Sequence, residues 1–523
     1  MSTLLTFLAD TGHDQLWLLL AAQRMGPHLN PYGPLVFESN PPLAIWLSAI
    51  VVQLAHLLHL SLTVTFKLAA TLLAAGSAIA SAKLLSRLHP ALSRNQLWLL
   101  GIAFILIFGA VPVRDFGQRD HILALLVLPY LVAAALDLAG RRLALIPRIA
   151  IALAAAFGLA LKPHQALIAI AIEATLLLTH NRRVPHLMSG TIGPEVGSRR
   201  RILEPAVFLA AALAYLTAIR TFAPTYLTQI LPILRDTYWA FGHLHFLEVL
   251  QAAIGLHALL AITLILYLFR RPKPPLILIL LAAGVGATLA YIAQGTGWYY
   301  QQLPAISFVA LALTLQIIGG HSEQREKGGH SEQREESQYF ASWCLPAATA
   351  ALTLLAFVLT TYFSDFHHTP RGIEQTQSIP DPAFFADLAP GTAVATLTTS
   401  VDDTVPPAFR YHLTLAQRYP HLWMLPAILR NESGPVPSHR IPQPRLAELD
   451  RLQHQFMVED LQHWHPALIL VERCQNPEVH CQVLEDRHDD LLAWFLRDPT
   501  FALLFSKYHF VRSSGPYDAY TLN

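Results

Sequence analysis

Residues 94–142 read RNQLWLLGIAFILIFGAVPVRDFGQRDHILALLVLPYLVAAALDLAGRR, and the fold is decided there. An apolar run over about 97–113 meets the polar knot VRDFGQRDH at 113–121. A second apolar run follows over about 121–139 and ends at Arg141 and Arg142. A membrane-spanning helix needs about 20 mostly apolar residues. The two runs therefore read as neighbouring spans, with the knot at one membrane face and the arginines at the other. Runs of the same kind fall at about 64–86, 146–161, 165–179, 202–219, 246–269, 274–293, 301–318 and 343–363. The run at 42–60 opens on Pro41-Pro42 and carries His56 and His59, and it reads as a helix lying along the interface.

Composition agrees with that pattern. Hydrophobic residues make up 53% of the chain and charged residues 14%, a balance well to the apolar side of a soluble protein. The net charge is +1 and no basic tract suits a polyanion, so nucleic acid is excluded as a partner. The N-terminus has no basic region followed by a cleavage site, which argues against a cleaved signal peptide. Its apolar stub from Leu4 to Ala9 is too short to span, which reads as a missing or truncated first helix.

Short basic loops stay cytoplasmic. One alternate set of connections carries Lys83, Arg87 and Arg94, then Arg141, Arg142 and Arg148, then Arg182, Arg183 and Arg199 to Arg201. The same set continues with Arg270, Arg271 and Lys273, then Arg325, Lys327 and Arg334. Residues 1–41, the loops 114–120, 162–164, 220–245 and 294–300, and the tail 364–523 then face outward, toward the periplasm in a Gram-negative host. The loop at 319–337, GGHSEQREKGGHSEQREES, is a polar tandem repeat with no apolar face and reads as a solvated insertion. In the tail, TAVATL and ALILVE alternate with helical patterns around 443–460 and 488–498, the signature of a small α/β domain. The expected architecture is an all-α polytopic membrane domain over 1–363, with about 10–11 spans plus the interfacial helix. A small extracytoplasmic α/β domain is expected over 364–523.

The polar residues of the outer face are dense. The first loop holds HDQLWLLLAAQRM, beginning at His13 and Asp14, and then FESNPPLAIW with Glu38 and Asn40 before Pro41-Pro42. The second packs Arg114, Asp115, Gln118, Arg119, Asp120 and His121, the third is LKPHQ with Lys162 and His164, and a later one is QGTGWYYQQLP. Charges at a membrane edge cost little when solvated, so it is their density that marks a site.

In that order, an acidic residue opening the first loop, an amphipathic AAQRM segment, an acidic-x-x-Pro-Pro-Leu-x-x-Trp step and short loops with Arg-Asp and Lys-Pro resemble the C-type membrane glycosyltransferases. More narrowly, the chain resembles the branch of protein O-mannosyltransferases, the lipid A aminoarabinose transferase and the lipopolysaccharide core galacturonosyltransferases. The match covers about residues 10–310. The resemblance implies sugar transfer from a polyprenyl-phosphate carrier to a lipid, glycan or protein acceptor at the outer membrane face. It places the family's first-loop acid on Asp14 and its second acid on Asp120, with Asp115 as rival. Where the aminoarabinose branch has Glu-Lys before Pro-Pro, this chain has Ser39-Asn40, with Glu38 one place earlier.

Such a reaction needs a carboxylate to take the acceptor's proton, the role expected of Asp14. A single base opposite the leaving group implies inversion. The departing phosphate needs cationic donors, for which Arg119, Lys162 and His164 are the candidates. Glu38, Asn40, Asp115, Trp298, Tyr299 and Tyr300 are candidate substrate contacts. Plainer roles exist for each. Asp14 could cap a helix, Asp120 could form a surface ion pair with Arg119, Lys162 could snorkel, and the aromatics could form an interfacial belt.

Cys474 and Cys481 are a candidate disulfide in an oxidising compartment. No cofactor is required by the sequence, and a divalent metal stays open. Asp365, His367 and His368 lack a distant fourth ligand for one. Two other functions compete. A transporter of lipid-linked sugar would place polar groups near the bilayer midplane, where Glu173 is the main exception to an apolar set of helices. A membrane-anchored sensor or assembly protein would leave the loop cluster without a purpose.

Overall fold

The computed structural model describes residues 11–327 apart from 27, 91, 182–201, 241–244 and 270–272, and residues 380–522 apart from 435–438, 480, 482, 485 and 486. The apolar run at 343–363 and the trio Asp365, His367 and His368 lie outside the described residues. The chain divides into two compact units. One comprises 1–10, 64–216 and 244–363, and the other 11–63, 217–243 and 364–523.

The first unit is helical throughout its described residues. Its helices are α3 (Leu62–Leu88), α4 (Arg94–Ile105), α5 (Arg119–Leu138), α6 (Leu145–Leu161), α7 (Ala166–Asn181), α8 (Leu203–Phe222), α10 (Phe246–Ala252), α11 (Ile254–Phe269), α12 (Pro275–Gln294) and α13 (Leu303–Lys327). Residues 299–318 and the helices α3, α5, α8 and α12 are long and apolar enough to cross a membrane, and α10 with α11, bent by 72°, makes up to a sixth span. Residues 94–110, α6 and residues 163–179 are apolar but shorter. The bend between α10 and α11 falls inside the run read as one span over 246–269. The start of the polar repeat continues α13 as far as Lys327, so helical hydrogen bonding carries on past the apolar part.

Helix α5 is the hub of this unit. Leu123, Leu125, Leu131 and Leu136 along it are fully buried, and it packs against α6 and α12. Close approach depends on small residues, as it does where lipid supplies no hydrophobic drive between helices. A Cβ at Gly158 of α6 would lie 3.1 Å from the Leu126 Cβ, and one at Gly286 of α12 would lie 2.6 Å from the Leu167 carbonyl oxygen.

The second unit carries α1 (His13–Met25), α2 (Pro42–Leu58), α9 (Leu231–Thr237) and the whole of a five-stranded sheet. Its strands are β1 (Ala393–Leu397), β2 (Thr414–Leu415), β3 (Leu468–Glu472), β4 (Tyr508–Ser514) and β5 (Tyr517–Leu522), in the order β2-β1-β3-β5-β4. β1 runs parallel to β2 and β3, while β5 is antiparallel to β3 and β4. β3 is buried along its whole length, as a central strand covered on both faces must be. Helices α14 (Val405–Arg410), α15 (Leu425–Glu432) and α16 (Gln443–Trp464) make the crossovers. The chain is thus an all-α polytopic membrane domain with a small C-terminal α/β domain.

The N-terminal helices belong to the unit that holds the sheet. The Arg24 guanidinium at the end of α1 donates to the carbonyls of Leu415 and of Gln417, the latter at 2.6 Å. The Phe37 amide donates to the Arg418 carbonyl at 2.6 Å, and the Phe37 ring stacks on Trp423 at 5.4 Å. Asp236 in the last turn of α9 pairs with Arg445 at 2.8 Å. Arg418 itself is anchored by the fully buried Asp460, 2.7 Å from its Nε.

Candidate functional site

Two clusters of polar side chains form, one in each unit. In the helical unit the polar knot folds as a tight turn, Val113–Asp115, ahead of α5. Val113 holds φ +47° and Gly117 φ +83°. The first is a conformation that a β-branched residue adopts only under constraint. At Gly117 a Cβ would lie 2.7 Å from the Phe66 ring, so this position needs glycine on both counts. The turn delivers Asp115, Gln118, Arg119, Asp120 and His121 to buried positions, while Arg114 stays exposed.

Lys162 reaches the same place because α6 stops at Leu161. Pro163 forces the preceding residue into an extended conformation, φ −142°, as proline does. The Lys162 Nζ then lies 2.5 Å from Asp120 Oδ2, both side chains buried. Gln165 donates to Asp120 Oδ1 at 3.3 Å. The same ammonium lies 4.6 Å from the Tyr300 ring centroid, within cation–π range. The Gln118 side-chain oxygen accepts from the Arg119 backbone N at 2.5 Å. The Gly117 amide donates to His121 Nδ1 at 3.0 Å. Asp120 is therefore no surface ion pair with Arg119: it is fully buried and paired with Lys162. Lys162, likewise buried and paired, does not snorkel from its helix end. Of the aromatic trio, Trp298 and Tyr300 have centroids 5.8 Å apart, and the Tyr299 hydroxyl donates to the Val111 carbonyl at 2.8 Å. His164 is half-buried beside Lys162.

The second cluster forms at the start of α1. The N-cap is Gly12, with no side-chain cap bond, and Asp14 lies in the first turn. The capping role open to Asp14 is therefore not the one it fills, although its charge still favours the helix N-terminus. His13 stands between two carboxylates. Its Nδ1 is 2.8 Å from Asp402 Oδ1 and its Nε2 is 3.4 Å from Asp14 Oδ1. His421 is buried close enough to feel both His13 and Asp14. Burial first, and then His13, lower its imidazole to about 3 against the opposing pull of Asp14, so it is neutral at physiological pH.

Glu38 and Asn40 serve each other. Glu38 Oε1 accepts from the Asn40 amide at 2.6 Å, from its side-chain Nδ2 at 2.5 Å and from the Ser39 hydroxyl at 3.0 Å. The Trp17 indole donates to Oε2. This buried knot fixes the turn into α2 and ties it to α1.

Asp402 sits on the loop after β1. Strand order β2-β1-β3 makes the carboxyl ends of β1 and β3 a topological switch point, where α/β sheets present crevices. The loop is held from below. The Thr398 hydroxyl donates to Glu472 Oε2 at 2.7 Å, the Ser400 amide donates to the Thr398 hydroxyl at 3.0 Å, and the Tyr517 hydroxyl donates to Asp403. Burial raises the Glu472 carboxyl to about 7. Burial and then Glu472 hold Asp403 well above the carboxylate range.

These raised values have a thermodynamic consequence. Glu472 binds its proton more tightly folded than unfolded, so its contribution is fully present below pH 4.5 and is lost as pH rises through about 7. The difference is on the order of 3 kcal/mol. Melting the purified chain between pH 5 and 8 should show falling stability, and Glu472→Gln should flatten that slope. An unchanged slope in the variant would contradict the assignment.

Cys474 and Cys481, both buried, are joined by a disulfide with Cα atoms 5.5 Å apart. They adjoin Glu472, but thiolates committed to a disulfide are not available to ligate a metal.

Sequence reasoning placed weight on Asp14, Asp120 and Lys162, and the structure pairs the last two. It passed over His13, Gln165, Asp402 and His421. His13 and Gln165 adjoin residues that were chosen, which was a usable signal. Nothing local marks Asp402 or His421.

No known protein family profile matches the chain, and no curated protein matches it. Among solved structures it is similar to the archaeal oligosaccharyltransferase AglB from Archaeoglobus fulgidus in complex with an inhibitory peptide and a dolichol-phosphate. That similarity has 11% identity and a TM-score of 0.41, and it covers 98% of this chain and 71% of the other. A likeness of that size supports no further step.

Proposed function

We propose that the chain is a membrane glycosyltransferase. It moves a sugar from a polyprenyl-phosphate donor to a lipid, glycan or protein acceptor at the outer face of the inner membrane, with inversion at the anomeric carbon. The observation that carries this reading is the half-buried Asp14 carboxylate set beside the His13 imidazole, with neutral His421 close by. An acceptor hydroxyl is far too weak an acid to ionise at pH 7, and a positioned carboxylate that accepts its proton as the new bond forms supplies the missing step.

In this reading the acceptor oxygen bonds to the anomeric carbon while the bond from that carbon to the phosphate oxygen breaks, its electron pair leaving on the carrier phosphate. Asp14 takes the acceptor's proton. Arg119 and Lys162 stabilise the leaving phosphate as cations, as preorganised charges do best where water is scarce. His164, whose imidazole is lowered to about 4 by burial and then by Lys162, serves as a neutral hydrogen-bond donor. Asp120 holds the Lys162 ammonium in place. Trp298, Tyr299, Tyr300 and Asp115 are substrate contacts in this scheme. Glu38 and Asn40, occupied with each other, act by holding α1 and α2 in place.

The stereochemical outcome tests the proposal. Membranes containing the chain, given polyprenyl-phosphate-linked hexoses and pentoses, should yield product of inverted anomeric configuration. A retained configuration would exclude a single-base displacement.

A further inference from the structure

The proposed reaction leaves a proton on Asp14, and the carboxylate must lose it before the next turnover. His13 offers the way out. Its two ring nitrogens face two different carboxylates, Asp402 Oδ1 at 2.8 Å from Nδ1 and Asp14 Oδ1 at 3.4 Å from Nε2. The two contacts differ in kind, because the first is a full hydrogen bond and the second an electrostatic approach.

We infer that Asp402, from the loop after β1, holds His13 in the tautomer that carries its proton on Nδ1, so that the Nε2 lone pair can receive the proton Asp14 takes from the acceptor. This rests on the function proposed above. The proton passes from the acceptor hydroxyl to the Asp14 carboxylate and then to Nε2. The imidazolium so formed lies between two carboxylates and releases its proton to water. The proton leaves from Nε2, since Asp402 keeps the one on Nδ1, and the His13 and Asp14 side chains are each about one-fifth exposed, so water reaches them. Asp402 stays ionised throughout. Its charge fixes the tautomer and stabilises the imidazolium, as a buried aspartate does for a catalytic histidine elsewhere. His13 and Asp402 act through Asp14 and are positioning residues.

The surroundings suit the role. The Thr398–Glu472 bond and the Tyr517–Asp403 bond pin the loop from beneath, and the Thr404 hydroxyl donates to the Pro420 carbonyl. Asp402 is therefore presented on an anchored segment. Among the described residues, the titratable groups set against His13 are Asp14 on its own helix, Asp402 on the β1 loop and neutral His421 on the loop after β2. The carboxylates outnumber the cations, which favours an imidazolium. The C-terminal α/β domain thus gains a chemical role, supplying the residue that sets the protonation of the first-loop pair.

Two readouts test this. In the full-length chain with labelled histidine, assigned by comparison with His13→Gln, NMR titration should place the His13 pKa above the unperturbed value of about 6.5. Asp402→Asn should lower it, because the imidazolium loses its charged partner. In transfer assays Asp402→Asn should reduce kcat about 100-fold, leave the donor KM unchanged and move the acid limb of the kcat profile to lower pH, with Asp402→Glu recovering part of the rate. Combining His13→Gln with Asp402→Asn should add little to either single loss. A wild-type His13 pKa at or below 6.5, a kcat loss with unmoved pH limb and titration, or fully additive losses would each overturn the inference. If Asp402→Asn fails to fold, the wild-type titration alone decides. A chain that transfers no sugar would sink the proposed function and leave the His13 titration standing as a separate result.

Discussion

Asp120→Asn should destabilise the helical unit by about 3–5 kcal/mol, because it leaves the Lys162 ammonium buried without its carboxylate partner. Both side chains are out of water, at 8% and 0% exposure, and 2.5 Å apart. The hydrogen bond from Gln165 to Asp120 cannot offset a lost charge. Removing both charges is a different experiment. Asp120→Asn combined with Lys162→Met should recover most of the stability, since an uncharged pair of similar volume avoids the desolvation cost. Transfer should stay low in the double variant, as the cation at the helix break is gone. Unfolding of the purified chain and its variants in detergent measures the stability side. An Asp120→Asn variant within about 0.5 kcal/mol of the parent would show the pair to be solvated, as surface pairs are.

How much of this was legible in the sequence differs by element. The longer spans were legible because the signal is additive: eighteen or more apolar residues cannot be mistaken for anything short, whereas the runs at 97–113, 146–161 and 165–179 fall in shorter apolar helices. The break at Ala253 inside the 246–269 run was not, since no proline or charge marks it. The strands β1 and β3 were legible from TAVATL and ALILVE, their continuous apolar character being what a buried parallel strand demands. The grouping of residues 11–63 with the sheet was hidden. Arg24 reaches the carbonyls of Leu415 and Gln417 across nearly four hundred positions, and single-sequence patterns carry no information about contacts at that separation.

The candidate site divides in the same way. Asp120 and Lys162 could be picked out because each interrupts an apolar pattern at a helix end. Their mutual pairing could not, because it depends on how α5 and α6 pack. Asp14 could be picked out by its place before an amphipathic helix. Asp402 and His421 lie in a loop-rich region where charged residues are ordinary, and only the folded sheet brings them to α1. The density of charge in these loops was thus a fair guide to where polar side chains cluster. Glu38 shows its limit, as a buried acid fully engaged in holding a turn.

Asp14→Asn should have the largest effect on turnover. The substitution keeps the side chain's size and its place in the first turn of α1, so stability should change little beyond the few tenths of a kcal/mol attached to a charge at a helix N-terminus. What it removes is the proton acceptor. General-base catalysis is worth about 100- to 10,000-fold, or roughly 3–5 kcal/mol of transition-state stabilisation. Because the base acts only as the bond forms, the loss belongs in kcat and not in donor affinity. The direct measurement is the rate of labelled-sugar transfer from polyprenyl-phosphate donors in membranes holding equal amounts of folded wild-type and Asp14→Asn chain. The account predicts a fall in kcat of at least about 100-fold with unchanged donor KM, and an Asp14→Asn variant that transfers sugar at the wild-type rate would contradict it.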